Sequence, residues 1–255
     1  MKSTALIAIC GALAALGCGT DDKSDDADGP GDDGAGGSGP GTLCAAADGP
    51  INPAELLDDF EDANADLARN EGRQSQWWMT PDGTAGESTP VEGAVLPERI
   101  VGGRCEKSLY GIHLSGQGFT DWGAALSVSL RWEDGPGEVP VDLSQYRGFR
   151  FFARAGELNT ATLRFGVHDV HTHGKGGICD PNTMEVGVGC WDSFGIDVKP
   201  LDTEWTEYSI SFASLKQRDF GVKAELDLSQ VYQIDYVVSP SSIFDVWIDD
   251  VWLFE

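Results

Sequence analysis

The feature that most limits what this chain can become is a two-residue period in hydrophobicity, repeated through most of its length. Ala124, Leu126, Val128, Leu130 and Trp132 alternate with Ala125, Ser127, Ser129 and Arg131. Phe149, Phe151 and Ala153 do the same against Arg150, Phe152 and Arg154. The pattern returns at Leu163, Phe165 and Val167, at Tyr208, Ile210 and Phe212, at Tyr232, Ile234, Tyr236 and Val238, and at Phe244, Val246 and Ile248. Successive side chains of a strand leave opposite faces, so each run has one buried and one wet face. Turn clusters such as Glu133-Asp134-Gly135-Pro136-Gly137 and Ser239-Pro240-Ser241-Ser242 separate the runs. Sustained helical periodicity is absent, with single turns expected near 53–58 and 212–217. Many short strands joined by turns predict an all-β fold, an antiparallel β-sandwich of the jelly-roll kind.

The N-terminal residues stand outside this pattern. Lys2 precedes an apolar run at 5–16 that is too short to span a bilayer as a helix, and small residues lead up to Cys18. This is the layout of a secretory signal peptide. The segment Leu13-Ala14-Ala15-Leu16-Gly17-Cys18 resembles a bacterial lipobox, which implies lipidation of Cys18. Ala15 stands where such sequences usually carry leucine, so a simple cleaved signal is the alternative. Residues 19–42 are almost wholly Asp, Gly, Ser, Pro, Thr and Ala, with seven aspartates against Lys23. Such a stretch cannot bury enough to order itself, and like charges extend it. The expected organisation is a signal peptide at 1–18, an acidic tether at 19–43 and one folded domain at 44–255. The chain is expected to be exported and lipid-anchored in the bacterial cell envelope, at the outer membrane or cell surface.

A formal net charge of −25 excludes nucleic acid and anionic membrane surfaces as partners, leaving the lipid as the only membrane contact. Beyond the tether lie Cys44, Cys105, Cys179 and Cys190. Outside the reducing cytosol an even number favours disulfides, and three pairings are possible. Cys179 and Cys190 share one Gly-rich loop, which leaves Cys44 and Cys105 as the complement. Zinc is the alternative, weakened by the lack of a Cys-x-x-Cys spacing.

Function is sought on the faces that the core leaves over. Trp77 and Trp78 are adjacent, so an extended chain puts them on opposite faces and one of them leaves the core. Arg150, Phe152 and Arg154 face away from the core residues of their strand, and Arg164, Gly166 and His168 do so from the next. Strands consecutive in sequence commonly neighbour each other. This predicts one patch of Arg150, Phe152, Arg164 and His168, with Asp169 beside it and Trp78 or Trp191 at its rim. Sugars stack their C–H faces on aromatic rings while charged planar groups take their hydroxyls, so such a patch suits a glycan. The competing reading makes Phe152 and the tryptophans plugs of a second small core. His168, His171 and His173 invite a zinc reading, but on a strand His171 and His173 share a face while His168 points away. There is no Gly-x-Ser-x-Gly elbow, phosphate loop or His-Glu-x-x-His helix. Among so many carboxylates a glycosidase pair cannot be singled out.

Several strings in order carry a family resemblance: Asp58-Asp59-Phe60-Glu61-Asp62, Trp77-Trp78-Met79-Thr80-Pro81-Asp82-Gly83-Thr84-Ala85-Gly86, and Gly118-Phe119-Thr120-Asp121-Trp122-Gly123-Ala124-Ala125. Tyr146-Arg147-Gly148-Phe149-Arg150-Phe151-Phe152-Ala153-Arg154 and Phe244-Asp245-Val246-Trp247-Ile248-Asp249-Asp250-Val251 complete the set. Together they resemble the galactose-binding-like carbohydrate-binding modules, especially the glucan-binding modules of family eleven and lipoproteins of predatory and social proteobacteria with this layout. The resemblance implies a structural calcium held by Glu61 and Asp249, which ties the two ends of the domain together. It also implies a non-catalytic, monomeric carbohydrate-binding protein for a neutral or cell-wall polysaccharide. A surface lipoprotein that holds a protein partner is the second reading, marked by a flat polar face with all tryptophans buried. A glycosidase-like enzyme is the third.

Overall fold

The computed structural model describes residues 51–105, 107–199 and 201–255, and there the alternating runs become strands. In chain order these are β1 (Leu56–Asp58), β2 (Trp77–Pro81), β3 (Glu87–Thr89), β4 (Gly93–Ala94), β5 (Glu98–Arg99), β6 (Tyr110–Gln117), β7 (Ala124–Ser129) and β8 (Trp132–Glu133). They continue with β9 (Gly137–Glu138), β10 (Gly148–Ala155), β11 (Leu163–Asp169), β12 (Phe194–Val198), β13 (Thr206–Ser211), β14 (Val231–Val238) and β15 (Ile243–Phe254). A single 3₁₀ turn, Phe212–Ser214, falls where a turn is expected, whereas the other expected turn region ends in β1.

Two antiparallel sheets form the sandwich. One runs β13-β10-β15-β6-β3, with β1 added beside β15 and β5 beside β6; the other runs β12-β11-β14-β7-β2-β4. A separate hairpin pairs β8 with β9. Inward side chains of both sheets meet in one core. Phe151 of β10 stands edge-on to Tyr236 of β14 at 5.0 Å, and Phe165 of β11 lies 5.6 Å from Phe151 and 5.3 Å from Tyr236. Trp77 joins them at 6.2 Å from Tyr236, its indole N–H donating to the buried Asp58 at 2.8 Å. Gly123 enters β7 with φ of 104°, where a Cβ would lie 2.0 Å from the Val238 carbonyl oxygen, so only glycine lets β7 approach β14 there.

Two expectations are corrected here. Strands β10 and β11 follow each other in sequence but belong to different sheets, because the connection between them crosses the sandwich. Trp132 does not extend the buried series of β7: the chain turns into the β8–β9 hairpin after Leu130, and Trp132 is 51% exposed. The expectations for residues 1–18 and 19–43, Cys18 included, lie outside the described residues. No helix among those described is long and apolar enough to cross a membrane. Cys179 and Cys190 form the expected disulfide, with Cα atoms 5.0 Å apart. Cys105 is also disulfide-bonded, and Cys44, the partner expected for it, lies outside the described residues.

A bulge in β15 decides the fate of the expected calcium site. Phe152 pairs with Asp249 and Phe151 with Val251, so Asp250 is the extra residue, at φ 38°. A bulge re-aims side chains, and here both carboxylates reach the guanidinium of Arg104. Its Nε donates to Asp249 at 2.7 Å and an Nη donates to Asp250. Ser108 Oγ also donates to Asp249, whose other oxygen accepts the Asp250 N–H. Glu61 accepts the backbone N–H groups of Leu109 and Tyr110 at 2.8 and 3.0 Å. Glu61 and Asp249 therefore grip the 104–110 segment from two sides, but the residues present do not fit the ion. An arginine already supplies the positive charge, and protein donors hold the oxygens of Asp249. Replacing Arg104 by alanine strands two buried carboxylates and is expected to lower stability in urea by about 3–5 kcal/mol. Millimolar calcium should leave the parent's Tm unchanged; a calcium-dependent rise in that Tm would restore the ion.

Candidate functional site

The outward face of the six-stranded sheet is hollow. Its cleft, about 670 Å³ in volume, lies within the range usual for ligand sites. Register builds its floor in rows. Arg164 of β11 lies between Asp197 and Val237, and Gly166 between Gly195 and Asp235, while His168 pairs with Gln233. Beyond β14, Asp235 pairs with Ser127 of β7, which in turn pairs with Trp78 of β2. The middle row thus reads Gly195, Gly166, Asp235, Ser127, Trp78, low at its β12–β11 end, where two glycines occupy it. A Cβ on Gly166 would lie 2.1 Å from Asp235 Oδ1 and 2.6 Å from Ser193 Oγ, so glycine is what lets the Asp235 carboxylate settle beside β11.

His168 and Asp235 form the polar centre of this floor. His168 Nε2 and Asp235 Oδ2 are 2.8 Å apart, and both side chains are more than nine-tenths buried. Each keeps one polar atom, His168 Nδ1 and Asp235 Oδ1, with no partner among the described residues. Buried polar atoms are nearly always hydrogen-bonded, so one contacting pair in which each member keeps an unpartnered atom is exceptional among the groups that line the cleft.

Tryptophans form the walls. Trp191 stands on one side, 41% exposed, at φ 73°, a left-handed conformation that costs a non-glycine residue on the order of 1–3 kcal/mol. It is held there by its N–H to the Thr172 carbonyl at 2.9 Å, by the adjoining disulfide and by edge-on contacts with His168 and His173 at 5.9 and 5.3 Å. Asp192 next to it accepts the N–H groups of Arg218, Phe220 and Gly221 at 2.8 to 3.1 Å, which brings Arg218 and Phe220 to the cleft edge. Trp78 and Trp122, 46% and 39% exposed, form the other side. Asp82 fixes the turn of Trp122 by accepting the N–H groups of Asp121 and Gly123. Three strand spacings separate β11 from β2, so the walls stand roughly 14 Å apart.

The structure brings together Trp78, Arg164, His168 and Trp191 of the expected patch. It does not bring Arg150 or Phe152 to them, since β10 lies in the other sheet. Phe152 packs on Trp252 beneath Arg104, in the small second cluster with Ile51, and Arg150 lies over the Phe254 ring. Asp169 is fully buried and knots the loop after β11, accepting from His171, Thr172 and Asp227. The histidines sort opposite to expectation: His171 turns to Asp169, while His168 and His173 approach to 6.2 Å. The cause is that β11 ends at Asp169, where the chain turns and the N–H groups of Thr172 and His173 donate to the Asp169 carbonyl. Beside this turn a bulge in β14 frees Tyr232 to stack on His173 at 5.0 Å. No group of three metal-ligating side chains occurs among the described residues. Trp122, Asp235 and Arg218 are additions to the sequence reading. Alternation already places Asp235 outward, between the core residues Ile234 and Tyr236, whereas nothing in the sequence links Trp122 or Arg218 to the cleft.

No protein-family model and no curated protein matches the chain. Among solved structures it is similar to the family 11 carbohydrate-binding module from Clostridium thermocellum in complex with a β-1,3-1,4-mixed-linked tetrasaccharide, at 18% identity over 78% of this chain and 94% of that one, with a TM-score of 0.51. The fold is that of a carbohydrate-binding module. A family 11 module of a cellulosomal cellulase from the same bacterium and a family 30 module overlap at TM-scores of 0.47 and 0.45 and identities of 16% and 17%. They cover 78% and 68% of this chain and 93% and 90% of their own. Such a likeness speaks for the fold, and the use of the cleft is read from its own residues.

Burial pushes the His173 imidazole down to about 4, helped by His168 and Lys175 and opposed by Glu138, whose Oε2 lies 3.7 Å from Nε2. The unfolded chain takes up this proton near 6.5 and the folded domain only near 4. The stability that neutral His173 contributes is therefore complete above pH 6.5 and is lost as the pH falls toward 4. Urea titrations across that window should show the loss, and His173→Gln should flatten it. An equal slope in parent and variant would contradict this role.

Proposed function

We propose that the domain is a non-catalytic carbohydrate-binding module that holds a neutral polysaccharide in the cleft of its six-stranded sheet. One observation carries the reading: three half-exposed tryptophans, Trp78, Trp122 and Trp191, stand around a floor whose His168 and Asp235 each keep an unpartnered polar atom. Indole rings offer π faces to the C–H side of a sugar, and the paired imidazole and carboxylate offer a donor and an acceptor to its hydroxyls. Arg164 closes the floor, fixed by the Lys216 carbonyl at 2.7 Å. A hollow face ringed by exposed tryptophans is the opposite of the flat, polar surface that a protein partner was expected to need. In the same proposal the protein is exported and monomeric, anchored through Cys18 at the cell envelope and spaced from it by the 19–43 tether. Its acidity keeps nucleic acid away.

Isothermal titration with the β-1,3-1,4-mixed-linked tetrasaccharide found in the similar module is the direct test. Trp191→Ala and Asp235→Ala are each expected to weaken binding about tenfold or more, about 1.4 kcal/mol, while Phe152→Ala binds as the parent does. The parent should release no reducing ends from the polymer. Binding that follows Phe152 rather than Trp191, or bond cleavage, would contradict the reading.

A further inference from the structure

We infer that the cleft continues past Trp78 into a second subsite built on Trp132, so that the domain grips the interior of a glycan chain rather than its end. The inference rests on the proposed function. A second hollow of about 670 Å³ adjoins the first, and the two share Gln76, Trp78, Ser129 and Glu138 in their linings. The residues at the border where a chain-end site would need a closing wall thus line both hollows.

Trp132 is prepared for contact in this second hollow. Its side chain is 51% exposed, yet its backbone is fixed on both sides: its N–H donates to the Gln74 carbonyl at 2.8 Å, and Gln74 Nε2 donates to its carbonyl at 2.7 Å. The β8–β9 hairpin closes beneath it, with Gly137 so near that an added Cβ would touch the indole at 3.6 Å. An exposed aromatic ring on a rigid mount loses little freedom on binding, which is what a stacking platform requires. Among the described residues this ring makes no aromatic or cation–π contact, and the phase break after Leu130 is what turns it outward.

The surrounding groups define the ligand class. Gln76 donates to Asp66 at 2.7 Å and Ser129 donates to Glu138, so amide, hydroxyl and carboxylate groups line the passage between the two tryptophans. Asp66, Asp134 and Glu138 outnumber Arg69, which repels uronates and sulfated sugars. The second subsite therefore suits neutral sugar units that extend the chain held in the first.

Isothermal titration of the full domain with the mixed-linked tetrasaccharide and its octasaccharide homologue tests this. The parent should bind the octasaccharide about tenfold more tightly, a gain of the size one aromatic platform supplies. Trp132→Ala should bind the tetrasaccharide as the parent does, keep the parent's Tm and lose the gain on lengthening. A parent that gains nothing from the longer chain, or a variant that keeps the gain, overturns the subsite and leaves the proposed function standing. A parent that binds neither oligosaccharide overturns both.

Discussion

Which side chains can meet a ligand is decided by the aromatic cluster between the sheets. Trp77, Phe151, Phe165 and Tyr236 converge there from four strands, each fully buried. Burial of such a ring stabilises the fold by about 1.5–3 kcal/mol. Because side chains alternate, these inward rings assign the outward positions to Trp78, Arg164, Gly166 and Asp235. A slip of one residue in β11 or β14 would expose an aromatic ring and bury a charge. The core therefore fixes the composition of the cleft floor, and the energy that holds the fold is the energy that orients the site.

The acidic composition has a use within that frame. Asp169 and Asp192 are buried carboxylates that accept several backbone N–H groups each, and Asp82 does the same at a turn. Each replaces water for a loop that has no ladder partner. Through them Trp191, Arg218 and Trp122 take fixed places at the rim, although all three stand on irregular backbone. The pair Asp249 and Asp250 follows the same logic with Arg104 as the donor, joining β15 to the segment before β6. These five carboxylates are thus structural, and the acidic surface biases the cleft against anionic ligands.

The fold was largely legible in the sequence because period two is a local property. The faces taken by Trp77 and Trp78, by Phe165 and Arg164, and by His168 follow from it directly. What alternation cannot supply is the sheet to which a strand belongs. β10 and β11 are consecutive, yet the crossing between them moved Arg150 and Phe152 to the far side of the molecule. Bulges hid the rest. The one beside His168 paired His173 with Tyr232, and the one at Asp250 turned two carboxylates toward Arg104. The phase break after Leu130 likewise turned Trp132 out. Each depends on a register that only the partner strand defines.

The eight tryptophans allow the central claim to be read directly. Each indole N–H gives its own signal in a ¹⁵N–¹H correlation spectrum, and the tryptophans are distributed between the cleft, the core and the opposite face. Titration of the labelled domain with the mixed-linked tetrasaccharide should shift the signals of Trp78, Trp122 and Trp191 and leave those of Trp77, Trp205, Trp247 and Trp252 in place. Shifts confined to Trp205, Trp247 or Trp252 would put the ligand on the other sheet and contradict the account.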